Sequence, residues 1–346
     1  MTPVPPLAVR IAALLAAVLA IGLPAVPAGA AAAGPTRGLA APGDVEGGSA
    51  SLREQLDAAS KGFLDAQAAV KKSTQRQQEL TTRLAAIEAD LTTRNRTVGE
   101  LADVAYRTGR LSRVSALLES GSPDGFLNRA SRLGAVASNQ DREVRALVET
   151  RDQAARAKTA IDQEILEQRK QVAAMAKRKQ QAERALAANG GGGASAGVSG
   201  TSSSAAKAAP RNSDGSWPSE SCSVNDPTTD GCITPRTLHA MNQAKAAGFT
   251  RFVSCHRDGG SGEHPKGRAC DFAAQKGGFG GVASGGDRTY GNNLAAYFVK
   301  NADRLAVLYV IWFKQIWLPS SGWQAYTSGN GDPSSDHTNH VHLSVV

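Results

Sequence analysis

Two stretches hold four of the chain's six histidines: "EHPKGRACDF" over residues 263–272 and "SDHTNHVHLSV" over 335–345. The second places His337, His340 and His342 within six residues. If "HVHLSV" is a strand, His340 and His342 point to one face, because strand side chains alternate with period two. The first carries Asp271 seven residues after His264. Two imidazoles beside a strand carboxylate suit a borderline metal such as zinc. Three protein ligands with an open fourth position would leave a bound water whose pKa falls toward neutrality. His239 and His256 lack such company and read as surface residues.

The four cysteines, Cys222, Cys232, Cys255 and Cys270, all lie in the last third of the chain. An even number in one small domain reads as two disulfides in an oxidising compartment. A four-cysteine zinc site is the alternative, but no pair has the short C-x2-C spacing. Three connectivities are open, and the short loops favour Cys222–Cys232 with Cys255–Cys270. The amino terminus agrees with export: Arg10 precedes the apolar run "IAALLAAVLAIGL", and "PAGA" supplies small residues for cleavage near Ala30. That run is about 13 residues, whereas a membrane span needs some 20. The expected location is therefore extracellular and cell-wall associated. The formal charge of +8 suits acidic cell-wall polymers or anionic headgroups as partners, and a solvated helix face explains it equally well; no nucleic acid is expected.

Several elements must position these residues. Residues 1–30 read as the signal peptide and 31–50 as a flexible Ala/Gly/Pro segment. From Leu52 to Ala105 apolar residues recur in a 4-3 alternation without proline, a coiled-coil pattern. It breaks near 119–126, where Gly121, Pro123 and Gly125 cannot all continue one helix. A weaker series follows through Leu133, Val144, Leu147, Ile161, Ile165, Val172 and Met175. Residues 51–188 thus form two helical arms, an antiparallel hairpin or arms that pair with another chain. Residues 189–216 form a Gly/Ser/Ala linker.

The last part, 217–346, reads as a separate small α+β domain with an antiparallel sheet. "TPRTLHAMNQAKAAG" is a helix capped by Thr234, with Pro235 at its first position and Gly248 closing it. "RFVSC", "ACDFA", "AVLYVIW" and "HVHLSV" are strands, and "NNLAAYFVKNADRL" is a second helix.

The two histidine stretches resemble motifs of the zinc peptidases that share the fold of lysostaphin, the D-alanyl-D-alanine metallopeptidases and the hedgehog signalling domain. His264, Gly267, Ala269 and Asp271 fit H-x2-G-x-A-x-D of the D-alanyl-D-alanine branch. His337, His340 and His342 fit H-x2-H-x-H of the murein endopeptidases. The resemblance implies zinc held by His264, Asp271 and His342, with His340, helped by His337, as base or transition-state stabiliser. Many relatives of that branch place a carboxylate base where this chain has Asn339, so that version of the mechanism is in doubt; Asp336 and Glu263 are reserve carboxylates. Trp312, Trp317 and Trp323 are candidates to line a substrate groove, with a place in the core as the alternative. The helical region, around "SRVSALLESGSPDGFLNRASRLGAV", resembles the coiled coil of secreted bacterial cell-wall hydrolases and hydrolase activators, which implies a membrane-bound division complex as partner.

Together these readings imply a secreted zinc peptidase acting on peptidoglycan stems or crosslinks, with a regulatory or positioning coiled coil. Two other classes fit the same sequence. One is a non-catalytic wall-binding module, which Asn339 favours, and the other is a coiled-coil activator of a different hydrolase.

Overall fold

The structure, a computed structural model, describes residues 48–119, 121–201 and 204–346. The expected signal peptide lies outside the described residues. Helix α1 spans Ala50–Leu118 with a kink at Gly109, whose φ of 66° is not helical, and is opened by Ser49, whose side chain accepts from the Leu52 amide at 3.1 Å. Helix α2 spans Pro123–Ala188, with Ser122 accepting from the Gly125 amide at 3.1 Å and proline at its first position. These are caps that satisfy otherwise orphaned amides. The arms pair within the chain and run antiparallel: Ser73 Oγ donates to Glu164 Oε2 at 2.6 Å, Lys158 lies 3.0 Å from Glu88, and Arg94 lies 3.8 Å from Glu143. Much of this seam is polar, and its apolar part is the cluster of Leu84, Ala154, Ala157 and Ile161.

The remaining elements are β1 (Val224–Asn225), β2 (Cys232–Ile233), α3 (Pro235–Ala246), β3 (Val253–Ser254), β4 (Ala269–Ala273), α4 (Gly285–Lys300), α5 (Ala302–Leu305), β5 (Val307–Trp312), β6 (Gln315–Leu318), β7 (Gly322–Ala325) and β8 (His340–Val345). Strands β3 to β8 form one antiparallel sheet in the order β3-β4-β8-β5-β6-β7. Thr234 caps α3 as expected, accepting from the Thr237 amide at 3.1 Å. Both expected disulfides, Cys222–Cys232 and Cys255–Cys270, are formed.

Strand alternation splits the sheet into two faces. Phe272, Val341, Leu343, Val310 and Trp312 face α3 and α4, where they bury Met241, Leu294 and Phe298. The opposite face carries Asp271, His340 and His342 on the strands and, beyond them, Tyr309, Ile311, Ile316 and Leu318. The apolar half of that face is covered by the base of the helical hairpin: Leu52, Leu56 and Ala59 from α1, with Ala182, Ala185 and Leu186 from α2. Full burial of each leucine contributes about 1.5–3 kcal/mol. The domain expected to stand apart therefore shares a core with the helices. Polar contacts extend the junction: Arg53 Nη2 donates to Ser261 Oγ at 2.7 Å, and Arg268 Nη2 lies 3.3 Å from Asp57 Oδ2.

The segment read as a linker has almost no regular structure but is tied down at many points. The Gly192 amide donates to Ala325 O at 2.9 Å and the Ser195 amide to Trp323 O at 3.1 Å, so the chain runs along β7. Farther on, the Ala206 amide donates to Asn301 Oδ1 at 2.8 Å and the Ala209 amide to Arg304 O at 2.7 Å. Small side chains let this backbone lie flat on its neighbours, and Ala206 and Ala209 are buried.

Candidate metal centre

Antiparallel pairing sets Asp271 on β4 directly opposite His342 on β8. The third group, His264, comes from the turn-rich segment before β4. That segment is held by Gly267, at φ +68°, where a Cβ would come within 2.8 Å of the Ile233 Cα and 2.9 Å of the Cys232 carbonyl oxygen. Only glycine takes both this conformation and this approach without strain. The Thr234 amide and the Thr237 hydroxyl donate to the Gly267 carbonyl at 2.9 and 2.8 Å, fastening the turn to α3.

Donor atoms of three residues converge. His264 Nε2 lies 3.3 Å from His342 Nδ1 and 3.2 Å from Asp271 Oδ2, and His342 Nδ1 lies 2.9 Å from Asp271 Oδ1. Ligands about 2.0–2.1 Å from a tetrahedral zinc are separated by roughly 3.3 Å, so these spacings fit such an ion. The donor chemistry fits as well. His264 Nδ1 donates to the Cys255 carbonyl, which leaves the Nε2 lone pair facing inward. Ser344 Oγ, 2.8 Å from His342 Nε2, can take the proton there and leave Nδ1 as the donor. Such outer contacts set tautomer and ring orientation in metal sites. Tyr309 stacks on His342 at 5.7 Å, fixing the ring plane.

Burial pushes the Asp271 carboxyl up, but the His264, His340 and His342 rings around it outweigh that, holding Asp271 well below the usual carboxylate range. Arg257 adds a cation, its Nη1 lying 3.5 Å from Asp271 Oδ2.

His340 and His337 stand beside the triad, with ring centroids 4.9 Å apart. Burial is the main force that lowers the His340 pKa to about 4, so the ring is neutral at pH 7. Its Nδ1 donates to Asn339 Oδ1 at 2.7 Å, and its Nε2 faces Asp271 Oδ1 at 3.4 Å. Asn339 thus orients His340 instead of acting as a base; its amide nitrogen donates to Gly280 O and Ser334 Oγ, each at 2.9 Å. His337 sits in the left-handed region, at φ +52°, and its backbone is tied to the β5–β6 turn by the Phe313 amide at 2.8 Å. Burial, then the neighbouring His340 and His342, push its pKa well down. Both of its ring nitrogens are buried without a well-formed hydrogen bond, although the Ser335 backbone lies near. Its ring lies 5.6 Å from that of His342, so a poorly satisfied imidazole stands beside the converging donors.

Other sequence expectations fall elsewhere. Trp312, Trp317 and Trp323 are not at the site: Trp317 pairs with Val310 and with Trp323, on the face turned toward α3 and α4. The residues on β6 that share the site's face are Ile316 and Leu318. Asp336 is taken by Lys314 at 2.8 Å, and Glu263 by Lys266 at 2.9 Å and by Arg268. Sequence reasoning passed over Ser344, Tyr309 and Arg257. Ser344 alone had a signal, since it continues the period-two face of His340 and His342.

Fold and site together define an antiparallel α+β domain with a two-histidine, one-aspartate candidate metal centre. Residues 229–341 match the family model described as "VldE, C-terminal domain", a stretch that includes the candidate ligands His264 and Asp271 and ends one residue before His342. Comparison with curated proteins and with solved structures returned no match.

Proposed function

We propose that the chain is an exported zinc-dependent peptidase that cleaves peptide stems or crosslinks of peptidoglycan. The observation that carries the metal reading is the convergence of His264 Nε2, Asp271 and His342 Nδ1 at 2.9–3.3 Å, with each imidazole held by a protein partner. The peptidoglycan substrate rests on the likeness of the two motifs to wall peptidases. Zinc bound there would polarise the scissile carbonyl and activate water. Asp271, held ionised, supplies the negative charge that offsets the cation. His340, neutral and with Nε2 turned inward, takes a proton from the attacking water and passes it to the leaving amine. His337, buried beside His340, would turn a ring N–H to the carbonyl oxygen as charge builds on it. Two disulfides suit an oxidising compartment outside the cell membrane, and among the described residues no helix is long and apolar enough to cross a membrane. The helical hairpin would then be the part that meets a membrane-bound division complex.

The test pairs a metal assay with digestion of purified peptidoglycan. The expected result is one zinc per chain, lost in His264→Ala, and release of new amino groups from the wall material. Stoichiometric zinc without cleavage would leave a wall-binding module. Activity carried by residues 51–188 alone, with His264→Ala silent, would leave the activator.

A further inference from the structure

Among the described residues of the C-terminal domain, the exposed large apolar side chains are Phe252, Phe279 and Val282, at 49, 41 and 57 % exposure. They cluster at one place. The rings of Phe252 and Phe279 meet edge to face with centroids 5.2 Å apart, and Phe279 lies 5.4 Å from the His340 ring. Phe279 and Val282 sit on the glycine-rich loop between β4 and α4, where Gly277, Gly278 and Gly281 have nothing within 4 Å of a would-be Cβ. The loop is nevertheless pinned to the site. The Ala274 amide donates to Asn339 O at 2.9 Å, the Ala283 amide to Thr338 O at 2.8 Å, and the Asn339 side chain to Gly280 O at 2.9 Å. The residue that orients His340 therefore also holds the loop carrying Phe279.

We propose that Phe279 and Phe252 form an apolar subsite that receives the nonpolar side chain of the substrate residue next to the scissile bond. The inference rests on the peptidase reading. It adds the chemistry of the residue selected. A peptide whose scissile carbonyl lies within reach of His340 has its flanking Cα atoms within about 2.5 Å of that carbonyl carbon, and the ring of Phe279, 5.4 Å from that of His340, is near enough to meet a side chain there. Two half-exposed aromatic rings beside a polar centre suit a methyl or aliphatic group, because each withdraws apolar surface from water when the other arrives. Charged and strongly hydrated side chains would be disfavoured there.

The probes are glycyl, alanyl and leucyl hydroxamates, whose head group chelates zinc while the side chain samples the subsite. Binding to the zinc-loaded full chain is measured by titration calorimetry, and zinc affinity separately by chelator competition. The leucyl compound is expected to bind about tenfold more tightly than the glycyl one, from partial burial of its side chain. In Phe279→Ser and Phe252→Ser that preference should fall below about threefold while zinc affinity and the melting curve stay as in the parent. Both positions are exposed, so the folded chain should tolerate the changes. Equal binding of glycyl and leucyl compounds by the parent chain, or an undiminished preference in both variants, overturns the subsite and leaves the metal centre standing. Absence of zinc together with absence of binding by every hydroxamate overturns the peptidase reading and the subsite with it.

Discussion

Asn339 occupies the position of an expected carboxylate, and its three hydrogen bonds give it a different task. It holds the His340 tautomer that leaves Nε2 bare. Asn339→Ala should lower kcat about 10- to 100-fold, the usual scale for an outer-shell contact. Zinc affinity should hold, because Asn339 touches none of the three donor atoms. Ser344→Ala should do the reverse, weakening zinc about tenfold or more through loss of the contact that orients His342. Measuring both variants by chelator competition and steady-state kinetics separates the two roles. Asp226 acts one layer further out. Its carboxylate accepts from the Thr228 amide at 2.8 Å and from the His256 amide at 2.7 Å, next to the Cys255 carbonyl that holds His264. Burial alone would push Asp226 up, but these hydrogen bonds prevail and hold it below the usual range. Its stabilisation is therefore full above the ordinary carboxylate pKa and is lost as pH falls through the lowered value. Asp226→Ala should cost about 2–3 kcal/mol in denaturant melts at pH 7, and less in acid.

At the scale of elements, the sequence was legible wherever one residue pattern maps to one structure. The heptads, the break at Gly121 to Gly125, the Thr234 cap and the face shared by His340 and His342 each follow from a local period or a local cap. Strands β6 and β7 were missed because the turn before β6 gives no local sign. Phe313 and Lys314 both adopt left-handed φ, at +55° and +61°, where asparagine and glycine are the usual residues. That error also misplaced Trp317 and Trp323, since strand register decides which face a side chain takes. The anchored stretches 192–195 and 206–209 escaped notice because their composition signals freedom, while their anchors are backbone hydrogen bonds that no side-chain pattern encodes. Gly267 was legible as the glycine of the first motif. Gly267→Ala should destabilise the fold by about 2 kcal/mol or more, from the left-handed conformation and the contact with Ile233, as read by thermal melting.

Across the whole molecule, the decisive fact is that one face of the sheet serves two purposes. Its β4–β8 half carries the donors, and its β5–β6 half seats the hairpin through Leu52, Leu56 and Leu186. The sequence hid this because the docking residues are also heptad positions, and the 4-3 pattern is the same whether the neighbour is a helix or a sheet. Leu56→Ala should cost about 2–5 kcal/mol and should lower helical and near-ultraviolet signals in one transition. Separate transitions would contradict a common core. Asp57 lies at this junction, and burial, then the nearby Glu263, raise its pKa despite Arg268. Only between the ordinary and the raised pKa does the folded chain hold a proton on Asp57 that the unfolded chain has released, so this contribution is unfavourable at neutral pH and the penalty disappears as pH falls through that window.

The backbone run along β7 has a consequence for solubility. A sheet's outer strand offers unpaired amides and carbonyls to any passing strand, the starting point of edge-to-edge aggregation. Here Gly192, Gly193 and Ser195 occupy those groups on Trp323 and Ala325, with side chains too small and a backbone too irregular to offer a second edge in turn. A protease cut within residues 196–205 would loosen that cover, and the nicked chain should then self-associate at concentrations where the intact chain stays monodisperse.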